Sequence, residues 1–195
     1  MMKILSPDAS SPDIHWLRQL QQDDATALAS IMAKYYRDCY SYADKFTRDD
    51  ALIKDCIQEI FISLWQRRAT ATTILALRPY LLRAVKNKIL KSLYSKDLKG
   101  YPLDIPDEYD FSQEFSVEKI IIDRQLSEER TDRLKKTLSL LSKRQNEVIY
   151  LKFYQHLDHG QIAELMDISR QSVYNLLYET LQKLRSVWAT EFVTR

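Results

Sequence analysis

The sequence predicts an all-α protein, two small helical domains joined by an acidic linker, and three observations predict it. Apolar residues recur at helical spacing almost throughout, with no competing strand alternation. Glycine is scarce, with 2 in 195 residues. The stretch 157–184, LDHGQIAELMDISRQSVYNLLYETLQKL, reads as two short helices around a tight turn. Ile162, Ala163, Leu165 and Met166 line one face of the first, and Val173, Leu176, Leu177, Leu181 and Leu184 one face of the second. Met166-Asp167-Ile168 is too short for a loop, and Ser169 is a good N-cap that restarts the helix at once, the pattern of a helix-turn-helix.

Taken in order, residues 1–12 hold Pro7, Pro12 and several serines and carry no packing signal, so they read as a disordered arm. From 13 to 95 the spacing predicts one helical domain. Apolar spacing begins at Ile14, and Asp23 or Asp24 can cap a helix running to about Tyr42 through Leu28, Ile31, Met32, Tyr35 and Tyr36. A second helix, Asp49 to Arg68, places Ile53, Ile57, Ile60, Phe61 and Leu64 on one face and Lys54, Asp55, Gln58 and Glu59 largely off it. The basic pair Arg67-Arg68 suits the negative end of its dipole. After a loop at about Ala69 to Leu77, Pro79 takes the first turn of a helix to about Ser95. There Leu82, Val85, Ile89 and Leu93 face a core, and Arg83, Lys86, Asn87 and Lys91 form a basic stripe with an amide in its middle.

Residues 96–118 change character: Gly100, Pro102 and Pro106 break helices, and Asp104, Asp107, Glu108, Asp110 and Glu114 make an acidic linker suited to basic protein surface or solvent. A second helical domain fills 119–195. Helical spacing returns over about Val117 to Leu141, and Ser142 with Gln145 signals a capping box for a helix from Lys143 to about Gln155. The second helix of the helix-turn-helix then presents Arg170, Gln171, Ser172, Tyr174, Asn175 and Tyr178 away from its apolar stripe, on the part that enters a major groove. Arg, Gln and Asn can make paired hydrogen bonds to base edges. Taken alone, this face and the acidic and basic faces before it also fit ordinary solvated surfaces.

A net charge of +2 is small for a protein that must grip DNA phosphates unaided, so either the DNA contact is local or a partner supplies grip. Cys39 and Cys56 sit in helical patterns and read as free thiols in a reducing compartment. No apolar run reaches membrane-spanning length, and the start MMKILSPDASSPD is too soon polar for a signal peptide, so a cytoplasmic protein without membrane insertion is expected. His156 and His159 have no accompanying ligand cluster, so neither metal nor cofactor is expected.

With these elements in place, the chain resembles the small two-domain sigma factors of bacterial RNA polymerase, the extracytoplasmic-function group. Asp55 to Trp65, DCIQEIFISLW, resembles the polymerase-binding helix of sigma domain 2, with Asp55, Gln58, Glu59, Phe61, Leu64 and Trp65 matching. Arg78 to Leu93 is similar to the promoter-melting helix through Tyr80, Leu82, Arg83, Ala84 and Asn87, and residues 141–185 are similar to sigma domain 4. The resemblance implies that Asp55, Gln58 and Glu59 bind the coiled coil of the polymerase's largest subunit. It implies that Arg83, Lys86, Asn87 and Lys91, with the Ala69 to Leu77 loop, hold the −10 strand, with a flipped base beside Asn87. Arg170, Gln171, Ser172, Tyr174, Asn175 and Tyr178 would read the −35 element, and the linker would pass through the polymerase's basic channel. Partners would be RNA polymerase core and promoter DNA, with an anti-sigma factor as a further candidate, for a protein monomeric when free and without catalysis of its own. The chain departs from the family pattern at Asp167, which stands where the turn usually has glycine. The melting loop has no aromatic, and His159-Gly160 replaces an acidic helix start. The alternative is a free-standing helix-turn-helix regulator, usually a dimer on a palindrome.

Overall fold

The computed structural model describes residues 12–94, 109–111, 136 and 138–192, over the last six of which only the helix path is described. All regular structure among them is helical. The chain divides into two compact units, residues 1–105 and 106–195. Of the expected arm at 1–12 all but Pro12, which begins the first helix, lies outside the described residues, as do the linker apart from 109–111 and nearly all of the helical pattern at 117–141.

In the first unit, α1 (Pro12–Gln21) and α2 (Ala25–Ala43) are separate helices. Asp23 breaks them by adopting a left-handed φ of 64°, which Asp tolerates better than most residues. Asp24 is the cap of α2, its carboxylate accepting from the Thr26 N–H at 2.8 Å. Those hydrogen bonds from Thr26 hold its pKa below the ordinary value. Ile31, Tyr35, Cys39 and Tyr42 recur on the buried side of α2. Asp13 on α1 accepts from the Tyr35 hydroxyl at 2.5 Å, tying the two helices together.

Asp49 caps α3 (Asp50–Gln66) by accepting from the Leu52 N–H at 3.0 Å. Ile53, Cys56, Ile57, Ile60, Phe61 and Leu64 are its buried side. The expected loop after it is in part a 3₁₀ turn, Arg68–Thr73, with Ala71 buried. Then α4 (Leu77–Tyr94) packs against α2 and α3, and Arg78 pairs with Asp38 of α2 at 2.5 Å.

The second unit shows its capping box as expected. Ser142 Oγ accepts from the Gln145 N–H and the Gln145 side chain accepts from the Ser142 N–H, opening α5 (Lys143–Ile149). The helix expected to run on to Gln155 widens into a π turn at Tyr150–Tyr154, where the Tyr150 and Tyr154 rings stack 4.7 Å apart. Residues 109–111, within the stretch expected as linker, pack onto this helix. Tyr109 and Phe111 are buried, the Tyr109 hydroxyl bonds the buried Glu147 carboxylate, Asp110 pairs with Lys143, and Phe111 meets Tyr150 edge-on. Burial and the neighbouring Glu147 charge push the Tyr109 pKa up.

Candidate nucleic-acid interface

The helix-turn-helix is α6 (His159–Met166) and α7 (Arg170–Phe192). Asp158 opens α6 with a second capping box, shared with Gln161. Asp167 ends it at φ 55° and ψ 48°, so aspartate takes the left-handed position that the turn requires. Ser169 Oγ accepts from the Ser172 N–H at 3.0 Å, which restarts the chain as α7 within three residues. Ile162, Leu165 and Met166 of α6 and Val173 and Leu177 of α7 are all buried, in the seam where the two helices pack together. Leu176, Leu181 and Leu184 are only half-buried, whereas Thr180 is fully buried, because 173, 177 and 180 share one face at steps of four and three. The Thr180 hydroxyl is satisfied within the helix, donating to the Leu176 carbonyl at 2.5 Å.

That seam turns the opposite side of α7 outward. Arg170, Gln171, Ser172, Tyr174, Asn175 and Tyr178 are all exposed, as the sequence leads one to expect. Several are tied to neighbours. Gln171 Nε2 donates to Asn175 Oδ1 at 3.0 Å, and the Ser172 and Ser169 hydroxyls lie 2.7 Å apart. The Tyr174 ring packs on His159 of α6, with centroids 4.1 Å apart. The face therefore offers amide, guanidinium and phenol groups in a partly fixed array, suited to hydrogen bonding along a groove.

The first unit carries a different surface. Asp55, Gln58 and Glu59 are exposed on α3, and Arg83, Asn87 and Lys91 on α4. Lys86 departs from the expected stripe, being only 5% exposed. It lies four residues after Leu82 and three before Ile89, so helical pitch carries it to the core side. Lys88, absent from that stripe, instead reaches across to Glu59. Its spacing from Ala84 and Lys91 is the signal that places it on the same side. Glu59, Ile62, Asn87, Lys88 and Lys91 help line a groove of about 530 Å³ between α3 and α4. The structure thus brings together Glu59 and Asn87, which the sequence reading assigns to different partners.

No group of three side chains able to hold a metal occurs among the described residues, and His159 is occupied by Tyr174. No helix among them is long and apolar enough to cross a membrane.

Fold and interface together define a helix-turn-helix protein with a second, charged helical unit ahead of it. Residues 31–98 match sigma-70 region 2, and residues 131–184 match sigma-70 region 4. A solved structure described as CnrH in complex with the cytosolic domain of CnrY is similar in fold, at a TM-score of 0.56 and 17% identity, covering 92% of this chain and 99% of that one. Among curated proteins, none matches the sequence. The two matched regions span more than half of the chain, which belongs to the sigma-70 family, with region 2 ahead of region 4 as in the extracytoplasmic-function group. It is a sigma factor that directs promoter transcription, and RNA polymerase and promoter DNA are the partners this role implies. Nothing in the comparisons favours the free-standing regulator.

Proposed function

We propose that the two units divide the promoter, the first engaging the −10 element and the second reading the −35 element. The exposed face of α7 carries this reading, since Arg170, Gln171, Tyr174 and Asn175 project together from the first turns of the second helix of a helix-turn-helix. Arg83, Asn87 and Lys91 would hold the −10 strand, with Asn87 beside the flipped base and the two cations on phosphate. Asp55, Gln58 and Glu59 would dock on the polymerase core. Their acids are exposed for pairing with basic residues of a partner, Glu59 already holding Lys88.

On this reading the protein is a dissociable, non-catalytic, cytoplasmic subunit, monomeric when free. A net charge of +2 supports dependence on the core enzyme, because few phosphates can be neutralised by the chain alone. The CnrH structure holds the cytosolic domain of a second protein, which supports an anti-sigma partner for this chain as well. The test is reconstitution with core polymerase and mapping of transcript starts on promoter fragments. Start sites that depend on both elements are expected from the complex only. Equally strong and specific promoter binding by the isolated chain would overturn the proposal.

A further inference from the structure

The first turn of α6 touches the exposed face of α7 at two places. The His159 ring lies 4.1 Å, centroid to centroid, from the ring of Tyr174, tilted by 44°. At the next residue, a Cβ placed on Gly160 would stand 3.3 Å from Arg170 Nη2 and 3.1 Å from the capping oxygen Asp158 Oδ1. Both separations are tighter than ordinary van der Waals contact, so a side chain at 160 must move the guanidinium or strain the cap. A glutamate there would also pair with Arg170 and occupy donors that otherwise face outward.

We infer that His159 and Gly160 are positioning residues for −35 recognition, the ring at 159 fixing Tyr174 and the bare Cα at 160 keeping the seat of the Arg170 guanidinium open. This rests on α7 reading the −35 element as proposed above. Tyr174 is 48% exposed, so without the imidazole its ring would sample several rotamers and lose that freedom on binding. The groups facing His159 fit a packing role: burial first, then Lys152 of the π turn and Arg170 of α7, lower its pKa, and Asp158 opposes them. A neutral ring can lie beside Arg170 without repelling it.

The experiment uses holoenzyme reconstituted from core polymerase and the full chain, transcribing a pool of templates randomised across the −35 element, with transcripts sequenced. Tyr174→Ala and Arg170→Ala first locate the base pairs that each side chain reads. His159→Ala is expected to flatten the preference at the Tyr174 position by about 2- to 10-fold, the worth of one aromatic contact. His159→Phe, which keeps a ring, is expected to restore it. Gly160→Glu is expected to flatten the preference at the Arg170 position, and thermal unfolding of each variant separates reading from folding. If Tyr174→Ala and Arg170→Ala change no preference, the assignment of α7 as reader falls and the inference with it. If they do, but His159→Ala and Gly160→Glu leave preference intact, the inference alone is overturned. It is also overturned if His159→Phe folds normally yet loses as much preference as His159→Ala.

Discussion

The exposed faces of α4 and α7 are built on opposite plans. On α4 the polar groups are mainly long cations, Arg83, Lys88 and Lys91, beside a groove where Lys88 reaches the Glu59 carboxylate. On α7 they are amide and aromatic groups held by short contacts, Gln171 to Asn175 and Tyr174 to His159. A flexible ammonium is a point charge that follows a phosphate wherever the strand puts it. A fixed amide can reward one base edge over another, because a misplaced donor is left unpaired. If α4 grips and α7 reads, as proposed, the difference teaches that the two tasks ask for different degrees of order from the same helical scaffold.

Breaking the second unit should have the largest effect. Tyr109→Ala removes a buried ring from α5 and is expected to cost about 3–5 kcal/mol of that unit's stability, whereas Tyr109→Phe, losing only the hydroxyl's bond to Glu147, should cost about 1.5–3 kcal/mol. Denaturant unfolding followed through the second unit measures both. The acidic face of the first unit comes next. Replacing Asp55 and Glu59 together with Lys is expected to weaken core binding by about 2–3 kcal/mol, roughly 30- to 150-fold, in a pull-down without promoter. A change within about 0.5 kcal/mol would mark the face as merely solvated.

Lys86 sharpens the comparison within α4. As a buried side chain, its change to Ala should lower stability by about 1–2 kcal/mol through lost packing of its stem and leave the salt dependence of promoter binding unaltered. The smallest effect expected is on pH. His159 has a folded pKa below its ordinary value of 6.5, so the unfolded chain binds the proton more readily. Its contribution is constant above pH 6.5, and stability falls as pH drops through that value. His159→Phe should remove this slope from a thermal-unfolding series between pH 8 and about 5.

Much of the second unit is legible because its punctuation is local. Ser142 with Gln145, Asp167 and Ser169 act through hydrogen bonds or φ values within three residues of themselves, which a sequence displays directly. At Lys86 the charge argues for the surface while the spacing from Leu82 and Ile89 argues for the core side, and the fold follows the spacing. The π turn at Tyr150–Tyr154 and the docking of Tyr109 on Glu147 were not legible. Apolar spacing over 150–154 does not separate a π turn from an α-helical one, and the second joins residues 38 apart in sequence. Lys88 follows Asn87 directly in sequence but stands off the stripe of Arg83, Asn87 and Lys91, and only the packing of α3 against α4 shows it meeting Glu59.

Asn175→Ala against Lys91→Ala, each in holoenzyme transcribing single-base promoter variants at two salt concentrations, tests the division of reading from gripping most directly. Asn175→Ala is expected to cost about 1–3 kcal/mol on the preferred −35 sequence and to blur preference at one base pair, with the salt dependence kept. Lys91→Ala is expected to weaken open-complex formation alike on every variant and to reduce the salt slope by about one phosphate contact. The same uniform loss from both substitutions would contradict the account, and α7 would then dock on something other than base edges.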